Sequence, residues 1–215
     1  VPGKSPDLYG DLFADLDLDS DRYIKAIQTR SATAASHKVV HHALSYTVPG
    51  EAISGDMSTE GGQFLVEYAS GKNAEVYPEG TGVLLKKGEK ARVSYHTHSW
   101  GEDTYMEIEV GMKLYPKGHV PPKIRWSKQP AQPTAPLDVP PGSVARSDGY
   151  VFMHKPAKMI AFQPHLHLLG SRQCLELIYP TTGPSAKTAV VNCINFHNSW
   201  HLSYNYEDDV APIVP

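Results

Sequence analysis

The sequence lacks long apolar runs and a strong excess of either charge. No stretch approaches the roughly 20 apolar residues that a membrane-spanning helix requires, so no membrane span is expected. Lys and Arg together number 20 against 23 Asp and Glu, which leaves a net charge of −3. This balance provides no basic field for nucleic acid or for an anionic membrane surface. We therefore expect no nucleic-acid partner.

Sequence motifs of several common enzyme classes are absent too. There is no Gly-x-Ser-x-Gly nucleophile motif, no glycine-rich phosphate loop and no His-Glu-x-x-His zinc motif. No Cys-x-x-Cys-His sequence occurs, so no c-type haem is expected on this chain. Any chemistry of the chain therefore depends on residues outside these motifs.

Cysteine is scarce, with Cys174 and Cys193 as the two thiols of the chain. They lie in two predicted strands, residues 173–179 and 186–194, which a predicted turn at 181–184 joins. A cross-strand disulfide and a pair of buried free thiols both fit this pattern. A disulfide would contribute about 3 kcal/mol by closing the intervening loop. It would also indicate an exported protein, periplasmic or extracellular.

Proline, glycine and tyrosine are plentiful, at 18, 17 and 12 of 215 residues, as is typical of many short strands and turns. No segment shows the sustained 3.6-residue apolar period of a long helix. Residues 1–20 are predicted to be extended, and residues 48–61 form a loop. Strands are predicted at residues 23–30, 38–48, 63–69, 80–85, 91–98 and 104–115, the last two paired, and at 149–154, 157–163, 165–169, 173–179, 186–194 and 200–206. The fold is predicted to be all-β.

A proline-rich stretch divides the predicted strands into two groups. Eight prolines fall within residues 116–141, a composition typical of an extended linker. We predict two β-sandwich domains, residues 1–115 and 137–215, joined by a linker at 116–136. The chain starts at Val1 and stops at Pro215 within a polar, proline-containing stretch, so we expect a piece of a longer protein.

Histidine is the residue whose abundance calls for a chemical explanation, with 11 in the chain. Three groups stand out, namely His41-His42, His96-x-His98 and His165-x-His167. Neutral imidazole is a common ligand of copper and zinc. Because residues i and i+2 of a strand share a face, each His-x-His pair could chelate one ion. The adjacent pair converges only if its strand bends. The alternative for each group is the polar face of a half-buried sheet.

Three stretches of the chain carry a family resemblance. They are residues 39–44 (VVHHAL), residues 77–98 (YPEGTGVLLKKGEKARVSYHTH) and residues 162–170 (FQPHLHLLG), the last followed by ELIYP at 176–180. The chain resembles the copper type II, ascorbate-dependent monooxygenases, whose well-known members are the peptidylglycine α-hydroxylating and dopamine β-monooxygenases. It is most similar to the bacterial branch, which is often fused to c-type cytochrome modules. The resemblance runs from residue 22 to residue 215.

The resemblance implies two jelly-roll-like antiparallel β-sandwich domains, each with one copper ion. It assigns His41, His42 and His96 to the first copper. His96 is preferred to His98 because the family's third histidine closes an alternating strand and precedes a short turn with a glycine, which Gly101 matches. The family's second copper takes a His-x-His pair and a methionine.

The matching pair for that second copper is His165 and His167. Met153 and Met159 precede this pair and do not match the motif, so the resemblance places the methionine beyond Pro215 and makes the second domain incomplete. His98, His197 and His201 are candidates for an extra ligand or for a hydrogen bond to a ligand. A structural role is the alternative for these three.

The function implied is copper- and O2-dependent hydroxylation of a C–H bond in a small molecule or peptide. Ascorbate or a similar one-electron donor, such as a c-type cytochrome module, would supply electrons. Two alternatives stay open. One is a copper-binding or electron-transfer module without oxygenase activity, and the other is a structural β-sandwich subunit of an extracellular assembly. The unmatched methionine favours these alternatives for the chain as it stands.

Overall fold

A computed structural model describes residues 1–52, 62–69, 71–127, 138–180, 187–197 and 200–214. Over these residues the protein is nearly all β, as predicted, with one short helix. The chain divides into two compact units, Val1–Ser127 and Lys128–Pro215, and the division falls inside the predicted linker at 116–136. Within the described part of the chain, no helix is long and apolar enough to cross a membrane.

The first unit is an antiparallel β-sandwich. Its elements are β1 (Leu8–Asp15), β2 (Arg22–Ser31), α1 (Ala34–Val39), β3 (Val40–Val48), β4 (Gln63–Ala69), β5 (Glu75–Val76), β6 (Thr81–Leu85), β7 (Lys90–Thr97), β8 (Ile108–Leu114) and β9 (Lys123–Ile124). One sheet has the order β1-β7-β3-β4, and the other has the order β5-β2-β6-β9 with β8 also paired to β2. Every pairing is antiparallel except that of β6 with β9.

Two apolar clusters hold the first unit together. In one, Ile24 and Ile27 from β2 pack with Leu65 from β4 and with Val83 and Leu85 from β6. All five are almost fully buried, and each such side chain stabilises the fold by about 1.5–3 kcal/mol. The other cluster packs at the α1–β3 junction and is formed by Val39, Val40, Ala43, Tyr68 and Val93. It lies beside the histidines of β3 and β7.

The structure corrects three expectations for the first unit. Residues 8–15 are a strand rather than a featureless extended segment, because β1 pairs with β7 along its whole length. Residues 38 and 39 belong to α1, whose N-cap Thr33 accepts a hydrogen bond from the Ser36 N–H at 3.0 Å. Strand β8 pairs with β2 and not with β7, since β1 and β3 already occupy both edges of β7.

The predicted loop and linker are described only in part. Residues 53–61 of the predicted loop and 128–136 of the predicted linker lie outside the described residues. The earlier part of the linker contains regular structure, because β9 pairs with β6 and the Arg125 N–H donates to the Gly82 carbonyl at 2.8 Å. This part therefore belongs to the first unit.

The second unit is built from one long hairpin and shorter pairings. Its strands are β10 (Ala157–Lys158), β11 (Ala161–Phe162), β12 (Arg172–Tyr179), β13 (Lys187–Asn195), β14 (Tyr204–Asn205) and β15 (Ile213–Val214). The pairs are β10 with β15, β11 with β14 and β12 with β13, all antiparallel. Cys174 and Cys193 lie directly opposite each other in the hairpin and form a disulfide, which confirms that prediction. The turn predicted at 181–184 lies outside the described residues.

Several strands predicted for the second unit are shorter or absent. Residues 149–154 form no strand, and the side chains of Val151 and Phe152 are exposed. Residues 157–163 split into β10 and β11, and residues 200–206 reduce to β14. Residues 165–169 are irregular because Pro164 has no N–H to donate and a turn follows at Leu168. Alternation of apolar and polar residues overestimated the length of these strands.

Candidate metal centre

Four imidazole rings of the first unit converge beside the α1–β3 junction. These rings, the first histidine cluster, belong to His41, His42, His96 and His98. The His41 ring centroid lies 5.2 Å from that of His42, 5.1 Å from that of His96 and 4.7 Å from that of His98. The His96 ring lies 4.9 Å from His42 and 4.7 Å from His98. Two sequence motifs more than 50 residues apart therefore form one cluster.

A β-bulge explains how adjacent histidines reach the same cluster. In the pairing of β3 with β7, Val40 lies opposite Thr97 and His42 lies opposite His96, so His41 is the extra residue on β3. A bulge bends the strand and redirects the side chains on it. The bend that His41 and His42 need in order to reach the same cluster is therefore present. His98 lies just past the end of β7, where its N–H donates to the Val39 carbonyl at 2.9 Å.

Strand β1 and the residue just before it add a tyrosine and an aspartate to the first histidine cluster. Asp7, just before β1, has Oδ2 3.0 Å from His96 Nε2 and Oδ1 2.6 Å from His98 Nδ1. Hydrogen bonds from His98 and then His96 hold the pKa of this carboxyl below its usual value. Tyr9 stacks on the His96 ring, with centroids 4.2 Å apart and planes 13° apart. Both residues lie within residues 1–20, which the sequence predicts only to be extended.

The donor set of the first histidine cluster fits a transition metal. One ring nitrogen from each of His41, His96 and His98 lies within 4.8 Å of the others. Nitrogens bound to one metal at about 2.0–2.1 Å are roughly 3.4 Å apart, so modest ring rotations would complete a site. His96 is 4% exposed, and its Nδ1 is buried with no hydrogen-bond partner among the described residues. Because Asp7 engages Nε2, Nδ1 is the nitrogen left for a metal.

The structure brings both His96 and His98 to the cluster, so the preference for His96 over His98 as the third ligand stays a prediction. No sequence motif pointed to Asp7 or Tyr9, which become recognisable as part of the site only once β1 is paired with β7. A carboxylate behind a ligating histidine is a common arrangement in metal sites, because it fixes the ring's tautomer and orientation.

In the second unit, the imidazole ring of His165 has two other imidazole rings beside it. This group, the second histidine cluster, consists of His165, His167 and His201. The ring centroid of His165 lies 5.2 Å from that of His167 and 5.1 Å from that of His201. A ring nitrogen of His165 and one of His201 lie within 4.8 Å of each other. His165 and His167 thus remain neighbours although they do not lie on a strand.

Local contacts hold the segment that carries the His-x-His pair. The His165 N–H donates to Gln173 Oε1 at 2.9 Å, and the Gly170 N–H donates to the His167 carbonyl at 2.7 Å. A Cβ on Gly170 would lie 2.5 Å from Leu166 Cβ, so only glycine fits this turn without a shift. The remaining candidate, His197, is exposed, and its carbonyl accepts from the Trp200 N–H at 2.9 Å.

No protein-family model matches the chain, and no curated protein is significantly similar to it. The chemistry of the two histidine clusters therefore follows from their own residues. Both offer neutral nitrogen donors that suit copper or zinc, and the first adds a carboxylate that orients two of its rings.

Proposed function

We propose that this protein is a copper-dependent monooxygenase of the type II, ascorbate-dependent class, or a part of one. The observation that carries the proposal is the convergence of His41, His42 and His96, two separate motifs, on one position of the first unit. The second unit holds its own cluster around His165 and His167. Two histidine clusters, one in each unit, are what this class of enzyme requires.

The two clusters have different tasks under this proposal. The first histidine cluster would hold a copper ion, which would supply one-electron redox chemistry with ascorbate or a similar donor. Its rings are fixed by the bulge in β3 and by Asp7, so little reorganisation accompanies a change of charge. The second histidine cluster would hold a second copper ion, which would supply O2 chemistry. Copper supplies one-electron redox chemistry and O2 binding, and the substrate is a small molecule or peptide hydroxylated at a C–H bond.

The disulfide supports an extracellular or periplasmic location for this chemistry. Cys174 and Cys193 are paired, and such bonds persist in oxidising compartments. A c-type cytochrome module is a suitable electron donor there.

Copper content and ascorbate-dependent O2 uptake test the proposal together. The purified protein is expected to bind two copper ions per chain, and the double variant His165→Ala/His167→Ala is expected to bind one. Ascorbate oxidation coupled to hydroxylation of a peptide or small-molecule panel should occur only in the wild type. A wild-type protein that binds no copper would reject the proposal and leave the structural β-sandwich role.

A copper-binding or electron-transfer module is the second candidate function. His98 favours it, because a fourth imidazole beside His41, His42 and His96 can saturate the metal and suits electron transfer. Two bound copper ions that cycle with ascorbate but never consume O2 beyond background would select this function over the monooxygenase.

A further inference from the structure

The pairing of β11 with β14 sets two histidines of the second unit opposite each other. Ala161 pairs with Asn205 and Phe162 with Tyr204. The same register continued outward sets residue 163 opposite residue 203 and residue 165 opposite residue 201. The hydroxyl of Ser203 donates to Gln163 Oε1 at 2.8 Å, so the alignment persists past the end of the strands.

His165 and His201 are therefore partners across the extension of this strand pair. Their ring centroids are 5.1 Å apart, about the same as the 5.2 Å between His165 and His167. A ring nitrogen of His165 lies within 4.8 Å of one of His201. His165 thus has two imidazole neighbours. His167 lies two residues further along the chain, and His201 lies opposite across the extended β11–β14 pairing.

His201 is also the most deeply buried member of the second histidine cluster. It is 3% exposed, whereas His167 is exposed. Phe196 packs edge-on against its ring, with centroids 4.9 Å apart. A histidine removed from water, with its ring orientation set by packing, loses little freedom when it binds a metal. The neighbouring His197, by contrast, is exposed.

We infer that His201 is a third protein ligand of the metal held by His165 and His167. This inference rests on the proposed function in assuming that the second unit binds copper. The centre then has three imidazoles from within the described chain. Imidazole suits Cu(II) and Zn(II), while a thioether selects Cu(I), so this centre accepts Zn(II) as a competitor more readily than a site with a thioether would.

Substitution of His201 tests direct ligation. In His201→Ala, the second copper is expected to bind at least about 10-fold more weakly, because even the loss of a residue behind a ligand costs 10–100-fold. The measurement is copper content after dialysis against a chelator at a concentration that leaves two copper ions on the wild type. His154→Ala, at an exposed histidine of the same unit, is the control and should retain both.

A ligand swap separates ligation from folding. His201→Met should keep the second copper and add a sulfur neighbour to its X-ray absorption spectrum, which a residue with a purely structural role cannot do. Two results would overturn the inference: retention of both copper ions in His201→Ala, or a His201→Met spectrum with nitrogen and oxygen neighbours alone. In either case the proposed function would stand as long as the wild type binds two copper ions. A wild type with at most one copper would overturn both.

Discussion

At the residue scale, Asp7 links two histidines of the first histidine cluster. Its two carboxylate oxygens contact His96 and His98 separately, so one side chain orients both rings. The contact with His96 Nε2 also selects the tautomer that leaves Nδ1 free of a proton when the imidazole is neutral. Asp7 thereby acts on the metal through the ligands and need not touch it.

Replacing Asp7 with Asn should weaken copper binding at the first histidine cluster by about 10–100-fold. The amide keeps the size of the side chain but loses the charge that makes His96 a stronger donor. A competition titration with a copper chelator measures the effect. Asp15→Asn, at the far end of β1, is the control and should leave the affinity unchanged. Equal affinities for the two variants would contradict this role for Asp7.

At the same scale, Tyr77 is buried in the apolar cluster that contains Ile24 and Leu65. Its side chain is 7% exposed, and burial raises its pKa to about 12. Because the unfolded chain loses this proton near pH 10 and the folded chain keeps it, stability falls between pH 10 and 12. From this residue alone the free energy of unfolding should drop by about 2–3 kcal/mol across that interval.

In Tyr77→Phe this part of the alkaline loss should disappear, since no hydroxyl is left to titrate. Urea unfolding of both proteins at pH 8, 10 and 11.5 gives the difference directly. Tyr105→Phe, at an exposed position, controls for the removal of a tyrosine hydroxyl. Parallel alkaline curves for the wild type and Tyr77→Phe would show that burial of Tyr77 does not control this dependence.

At the element scale, β7 is the strand around which the first histidine cluster is built. β1 pairs with one edge and β3 with the other, so Tyr9, His96 and His42 lie side by side across three strands. Gly10 has no side chain where Tyr95 crosses it, since a Cβ would lie 2.6 Å from the Tyr95 hydroxyl. This close fit lets β1 lie flat against β7 and brings Asp7 to the histidines.

A disulfide crosslinks the hairpin of β12 and β13. In Cys174→Ser/Cys193→Ser, the free energy of unfolding of the second unit should fall by about 2–4 kcal/mol, because the crosslink restricts the unfolded chain. Thermal unfolding followed by circular dichroism measures this effect without a reductant, which would also reduce copper. The midpoint for the first unit should not move. An unchanged midpoint for both units would show that the hairpin is stable without the crosslink.

At the scale of the whole molecule, each compact unit holds its own histidine cluster. Substitutions at separate sites with no shared partners usually have additive effects. We expect His41→Ala/His96→Ala to remove one copper ion and leave the affinity of the other within about 2-fold. Isothermal titration of the two double variants and the wild type tests this independence. A second copper lost together with the first would show that the clusters are coupled.

Local sequence patterns predict the fold class and the histidines that could bind metal, and they place the two cysteines on neighbouring strands where a disulfide could form. The alternation of apolar and polar residues, with proline and glycine marking the turns, predicts six strands to within about two residues of their observed bounds. These strands are β2, β3, β4, β6, β12 and β13. These are local signals, because they depend on which neighbours along the chain are apolar and which residues turn it. The same signals misjudged β8, whose partner depends on which strand edges remain available.

Which side chains meet depends on how the strands pair in the folded protein. The bulge that brings His41 to His96, the pairing of β1 that brings Asp7 to His96, and the register that sets His201 against His165 all join residues distant in sequence. Strand pairing depends on the shape and burial of both partners, and a shift of one residue reverses which face a side chain occupies. A linear pattern does not contain that information, whereas the folded sheets do.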